Sequence, residues 1–407
     1  MGRDVLLFVA YRVVSRLYFH LPILFLLFWS LQLRFPVVMV LVASYSAAST
    51  FTSDLAPRLS RRFRGSRVVA AGELLKSVGL AGLIVGTLPG AVSFELLLLS
   101  QVVGGAGFAI SLSADNALLR SLSNSADPKA FAALQARTQS AMFVATLVAG
   151  SLGSVLFDHE AHYPLYAGIA ASLASIVLVL TISDAPPPAT ASSAPTAPAP
   201  LRLDADQLYW VRFYAVTRAF AMAPFLGLIP LYFTLQQVDP YLFGAVLGLF
   251  TLGGFGVALS GLNKIDAEQA RTAYSVLLAG LLASLLCFAL SVRLDGLGLS
   301  YFASGLIGIA LLGVSAGAIR PVVMARLDLS SVPPPQRVAV FAAMERLFGY
   351  LCAGLLLVAG PLVEQVSLEA GFGFIVAGLL GAVAVLETLR ARPTPSAPPV
   401  PVHQPQE

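Results

Sequence analysis

Apolar runs long enough to cross a lipid bilayer recur along the whole chain, and they fix its fold class before any motif is read. They fall at residues 5–33, 36–54, 68–87, 93–118, 131–156 and 163–183, then at 207–234, 241–260, 272–292, 297–323, 338–363 and 368–389. A helix rises 1.5 Å per residue, so roughly 20 residues cross the ~30 Å of hydrocarbon in a bilayer. Hydrocarbon offers the backbone no hydrogen-bond partner, so each run is expected to be a helix. The expected fold is an all-α membrane protein with twelve transmembrane helices. Composition agrees: 57% of the 407 residues are hydrophobic and 11% charged. A soluble domain carries about 25% charged residues, so a water-facing globular enzyme is excluded.

The net charge of +4 invites a nucleic-acid reading, which the placement of the basic residues rejects. With twelve crossings, Arg3, Arg58, Arg61, Arg62, Arg64, Arg67, Arg120, Lys129, Arg202, Arg212, Lys264, Arg271, Arg326, Arg337, Arg390 and Arg392 fall on the side of both termini. Only Arg34 and Arg293 fall on the other. Sixteen against two predicts that the basic side, with both termini, is cytoplasmic, in a plasma (inner) membrane. Trp29 and Trp210 fall near the ends of their runs, as interfacial anchors do. Arg12, Arg16 and His20 interrupt the first run where a secretory signal core is unbroken, so it is expected to stay as a membrane helix. Cys287 and Cys352 both sit in apolar runs and read as packing residues.

Between the sixth and seventh runs lies "APPPATASSAPTAPAP". Proline this dense cannot form a helix, so residues 185–201 are expected to be an extended cytoplasmic linker. It separates a six-helix bundle at residues 1–184 from a second at 202–392, followed by a disordered tail at 393–407. The two halves echo one another. "VVSRLYFHLP" (13–22) returns as "AVTRAFAMAP" (215–224), pairing Arg16 with Arg218 and Pro22 with Pro224 at a shift of 202. Arg120 pairs with Arg326 at a shift of 206, Arg137 with Arg346 at 209, and the two "VAG" triplets at 210. A shift that grows slowly in one direction is what a duplication with small insertions leaves.

"SDLAPRLSRR" (53–62) resembles the loop between helices 2 and 3 of the major facilitator superfamily, matching at Leu55, Ala56, Arg58, Arg61 and Arg62. Pro57 stands where that pattern has its aspartate, and Asp54 is the nearby carboxylate. "SQVVGGAG" is similar to the family's glycine-rich segment in helix 4, with Gln101 in place of its arginine. The resemblance covers the whole chain. It implies a secondary transporter with two pseudo-symmetric six-helix bundles, a central cavity lined by helices 1, 4, 7 and 10, and a gating loop at Asp54, Arg58, Arg61 and Arg62. The glycines of "GGAGFAIS" read as close helix contacts rather than a phosphate loop.

A charge at mid-bilayer costs roughly 2.5–3.5 kcal/mol, so each one asks for a partner or a wet cavity. Besides Arg212, counted above at the cytoplasmic end of its run, seven basic residues fall inside the runs: Arg12, Arg16, Lys76, Arg137, Arg218, Arg320 and Arg346. Glu73 and Lys76, three apart, are expected to pair along one helix face. Asp115 is expected to brace loops with Arg120, Glu387 to reach Arg390, and Arg12 to snorkel to the interface. Arg12, Arg16 and His20, four apart, would stack along one stripe of a continuous helix, drifting about 40° per step.

Arg16 and Arg218 sit deeper, at matching places in helices 1 and 7. Two facing arginines repel unless an anion, or a carboxylate such as Glu345, lies between them. The resemblance implies a comparison with organophosphate antiporters of the family, whose paired guanidinium forks grip phosphate. The candidate substrate residues are therefore Arg16, Arg218, His20 and Arg12. Glu345, Asp115 and Glu73 are the carboxylates available to carry a coupling proton.

The expected function is secondary transport of a small organic solute, anionic or zwitterionic, by alternating access, driven by a proton or a counter-solute. The alternative is a proton-coupled exporter of larger amphipathic compounds such as drugs, siderophores or lysophospholipids. The four histidines form no catalytic or metal-binding cluster, and "DHEAH" reads as a solvated loop. No cofactor is expected, and a monomer in the bilayer is the expected state.

Overall fold

A computed structural model describes residues 3–53, 55–60, 62–90, 92–122, 128–183, 203–260, 267–327, 332 and 334–391. Asp54, Arg61, the linker at 185–201 and the tail at 393–407 lie outside the described residues, as do the side chains of Arg120 and Arg137. Every regular element among the described residues is helical.

Eleven helical segments are long and apolar enough to cross a membrane. The first apolar run makes the twelfth crossing in two pieces, α1 (Arg3–Val14) and α2 (Leu24–Ser30). The rest of the first half is α3 (Phe35–Thr52), the short α4 (Leu55–Ser60), α5 (Gly65–Gly86), α6 (Phe94–Leu122), α7 (Pro128–His159) and α8 (Tyr163–Leu180). The second half is α9 (Ala205–Ala223), α10 (Ile229–Leu235), α11 (Phe243–Leu259), α12 (Ala267–Ala289), the short α13 (Ser291–Gly296), α14 (Tyr301–Arg326), α15 (Pro334–Gln365) and α16 (Leu368–Ala391).

The break in the first crossing corrects the expected continuous helix over 5–33. Pro22 has no N–H, and in a continuous helix its ring would clash with the carbonyl of Tyr18. The chain turns instead: the Tyr18 amide donates to the Arg16 carbonyl at 2.8 Å and the Leu21 amide to the Tyr18 carbonyl at 3.2 Å. Backbone carbonyls freed at membrane depth need new donors. Lys76 Nζ reaches the Ser15 carbonyl at 3.4 Å, and Thr146 Oγ1 the Arg16 carbonyl at 3.2 Å. Arg12, Arg16 and His20 consequently do not share a helical stripe.

The second half meets the same problem at Pro224 and solves it with less disruption, by a π-helical turn over Pro224–Leu228 between α9 and α10. Both first crossings then end alike. Gln32 and Gln237 are the two non-glycine residues with left-handed backbones among the described residues, at φ 57° and 56°. Such a residue caps a helix C-terminus. The duplication is thus written in backbone conformation, at positions where the sequence echo is faint.

Inside the first half, α5 lies against α6 at very short range. A Cβ on Gly107 would sit 2.6 Å from the Gly72 carbonyl oxygen and 2.7 Å from the Lys76 amide nitrogen, so only glycine permits the approach. Large apolar side chains such as Val144, Val148 and Leu152, four apart on α7, are about half exposed and form the lipid-facing wall. Trp210, near the start of α9, is buried: its ring meets Phe213 and Tyr274, and its Nε1 donates to Asp206 at 3.2 Å.

The halves meet where α3 runs along α15 and α7 along α11. Near the side away from the termini, Gly244 of α11 abuts the Gly150 carbonyl of α7, too closely for any Cβ. On that same far side, Arg34 Nε donates to Glu364 at 2.8 Å, joining the start of α3 to the end of α15.

Candidate functional site

Two charged constellations sit at membrane depth, one in each half. In the first, α1, the break, α5 and α6 bring together Arg12, Arg16, Tyr18, Glu73, Lys76, Ser111 and Asp115. Arg12 Nη2 donates to Asp115 at 2.8 Å and Arg16 Nη2 to its other oxygen at 3.4 Å. Arg16 also donates to the Tyr18 hydroxyl. Lys76 Nζ donates to Glu73 at 2.7 Å, and the Ser111 hydroxyl takes the other Glu73 oxygen. The rings of Tyr18 and Phe108 lie 5.8 and 5.9 Å from the Arg16 guanidinium carbon. This constellation is dry: the Arg16 side chain is 10% exposed and that of Asp115 0%.

The second is smaller and wetter. Arg218 of α9 and Glu345 of α15 pair at 2.6 Å, with side chains 35% and 47% exposed. Tyr214, one turn before Arg218, gives its hydroxyl hydrogen to Glu345 at 2.6 Å and also accepts from Arg218. Phe348, one turn after Glu345, stacks under the guanidinium with its ring centre 4.6 Å away. Arg218 lies about 20 Å along α9 at 1.5 Å per residue, near mid-bilayer. A pair this exposed at that depth faces water rather than lipid, because an open charge in hydrocarbon costs several kcal/mol.

A cavity between the halves lies beside the break in the first crossing. It encloses about 680 Å³ including its open mouth. Its apolar walls include Leu21, Pro22, Phe25 and Val42 from the first half, and Phe225, Leu226 and Leu247 from the second. Tyr18, Thr146 and Thr251 supply its polar atoms.

The sequence model of the Major Facilitator Superfamily matches residues 13–357, most of the chain. The chain belongs to the Major Facilitator Superfamily. Solved structures of the same fold include a mutant of the nucleoside transporter NupG, at 13% identity and a TM-score of 0.67, covering 95% of this chain and 100% of that one. A POT family transporter in complex with a thioalcohol-conjugated peptide has a TM-score of 0.68 at 12% identity, covering 95% and 96%. A POT family transporter in complex with 5-aminolevulinic acid has 0.66 at 11%, covering 95% of each chain. No curated protein sequence matches the chain. As a Major Facilitator Superfamily member it is a membrane transporter and not an enzyme. Among the described residues no group of three His, Cys, Asp or Glu side chains is placed to hold a metal ion.

Within this superfamily frame several expectations change. Asp115 does not brace a loop; fully buried, it binds Arg12 and Arg16. Arg12 accordingly turns inward instead of snorkelling. Glu387 accepts from the hydroxyls of Tyr209 and Tyr274, the latter at 2.7 Å, and Arg390 pairs instead with Asp206 at 2.8 Å. Glu73 and Lys76 pair as their spacing predicts. Arg16 and Arg218 do not share one anchor: each is held by a carboxylate of its own half. His20, near the ring of Tyr18 and the α8 backbone at Gly168, makes no hydrogen bond through Nδ1 among the described residues. Of the gating loop, Arg58 and Arg62 are exposed.

Tyr214 and Phe348 were legible in principle, since each lies one helical turn from its charged neighbour and so shares its face. Tyr18 and Ser111 were not, because the unwound segment and a crossing between distant helices place them.

Proposed function

We propose that the protein is a secondary active transporter of a small organic solute, anionic or zwitterionic, moved by alternating access between its two halves. The halves are residues 1–184 and 202–392, joined by the linker at 185–201, with both termini cytoplasmic. The observation that carries this reading is the half-exposed Arg218–Glu345 pair on a bed of Tyr214 and Phe348. A planar guanidinium offers a fork to a carboxylate or phosphate, and the neighbouring Glu345 offers a partner to an ammonium. Arg16, Arg12 and His20 stand on the opposite half. There Arg16 is the candidate second contact for the anionic group. Glu345, Asp115 and Glu73 are the candidate carriers of a coupling proton. The Arg34–Glu364 pair and the Gly244–Gly150 approach support a state closed on the far side.

Uptake into proteoliposomes tests this reading. An imposed pH gradient or an internal counter-solute should drive accumulation of an organic anion or zwitterion, and Arg218→Ala should abolish it. A second reading, a proton-coupled exporter of larger amphipathic compounds, draws support from one feature, the apolar walls of the cavity between the halves. Transport of neutral or cationic amphipaths with organic anions ignored would favour it.

A further inference from the structure

The two constellations differ in charge. Arg218 and Glu345 cancel. In the first half Arg12, Arg16 and Lys76 face Glu73 and Asp115, which leaves one cation in excess among the described residues. All five are at least nine-tenths buried, so water screens that excess poorly. Arg16 shares Asp115 at the longer distance, 3.4 Å against 2.8 Å for Arg12, and its Nε has no hydrogen-bond partner among the described residues.

The cavity between the halves is connected to this excess charge through two side chains. Tyr18 lines the cavity and accepts the hydrogen bond from Arg16. Thr146 lines it too and donates to the Arg16 carbonyl. Arg16 therefore lies one side chain behind a wall whose other members are almost all apolar. Apolar walls with a few convergent polar groups suit the body of a compact organic molecule.

We infer that the solute is an amphipathic monoanion, whose single acidic group is held at Arg16 beside Tyr18 and whose apolar body lies in the cavity against Phe25, Val42, Phe225 and Leu226. This assignment rests on the transporter reading and narrows its substrate class. One negative charge balances this buried cluster of five. A dianion would leave an uncompensated charge, and a cation would add to the existing excess. Away from Tyr18 the walls offer a second polar end only the hydroxyls of Thr146 and Thr251, which sets this class apart from sugars and from other solutes polar throughout.

Four probes test the inference on the full chain in lipid nanodiscs, with the signal of protein-free nanodiscs subtracted. They are 4-phenylbutanoate, 4-phenylbutan-1-ol, 4-phenylbutan-1-amine and acetate. The first three share one body and differ in the head; the last is the head alone. The expected result is that 4-phenylbutanoate binds at least tenfold more tightly than each of the others. Leu226→Trp, which fills the cavity without touching the charged network, should weaken 4-phenylbutanoate at least tenfold. Arg16→Gln should erase the preference for the carboxylate over the alcohol. Equal binding of the alcohol or the amine, or 4-phenylbutanoate binding unchanged by Leu226→Trp, overturns the inference even if Arg16→Gln fails to fold. Carboxylates that bind without regard to Leu226→Trp but are lost in Arg218→Lys would leave the transporter reading standing and this one refuted. No binding of any organic anion, with transport of none, would refute both.

Discussion

Arg218 and Glu345 meet across α9 and α15 with Nη1 2.6 Å from Oε1, and both side chains remain more than a third exposed. Asp115, holding Arg12 and Arg16, is fully enclosed. The contrast separates a pair that can open to a solute from one that the bundle cannot lose. An exposed pair contributes about 0–1 kcal/mol after solvent screening. Glu345→Gln should therefore leave thermal stability nearly unchanged. It should also leave exchange of an organic anion across proteoliposomes intact while abolishing its pH-driven accumulation. Accumulation equal to that of the parent would remove Glu345 from coupling.

Asp115→Asn should behave in the opposite way. Removing one partner of a buried ion pair leaves a desolvated charge and costs roughly 3–5 kcal/mol. The variant should unfold at a clearly lower temperature, measured by thermal unfolding in detergent or nanodiscs. A variant as stable as Glu345→Gln would show that the first-half network is not a closed electrostatic unit.

The far-side contact at Gly244 predicts a conformational effect. A Cβ there runs into the Gly150 carbonyl, so Gly244→Val should wedge α11 away from α7. A cysteine placed at Thr251, in the wall of the cavity, should then react faster with a membrane-impermeant reagent applied from the far side. Arg34→Ala should act in the same direction, and raised salt should mimic it, because that ion pair is exposed and screened. Unchanged labelling in both variants would remove these contacts from the barrier.

Topology has its own test. In a background with Cys287→Ser and Cys352→Ala, a cysteine replacing His159 should react from outside the cell. One replacing Ser192 should react only after permeabilisation. The reverse pattern would invert the orientation drawn from the basic residues.

The sequence carried the architecture because hydrocarbon leaves a chain few choices. Runs such as 301–326 and 368–391 could only be helices, and their expected limits, 297–323 and 368–389, lie close to α14 and α16. The first crossing was misread because it breaks that rule locally. Pro22 interrupts it, and the freed carbonyls are repaired by Lys76 and Thr146, donors remote in sequence. Pairings within one turn, such as Glu73–Lys76, were readable from spacing. Those of Arg12 and Arg16 with Asp115 were not, since they depend on how α1 and the break meet α6. Nor could spacing alone tell Asp115, which is sealed, from Glu345, which faces water.

The central claim is that an organic anion or zwitterion occupies the space between the halves, its anionic group contacting Arg218 of one half as well as Arg16 of the other. Equilibrium binding on the parent and on Arg218→Lys tests it most directly, over a panel of organic anions, zwitterions, cations and neutral solutes. Lysine keeps the charge and removes the fork, and losing one charge-assisted hydrogen bond costs about 1.5–3 kcal/mol, roughly 10- to 150-fold in affinity. The account predicts that only anions or zwitterions bind the parent, and that Arg218→Lys weakens them within that range. Binding confined to cations or neutral solutes, or an Arg218→Lys variant with the parent's affinity, would contradict it.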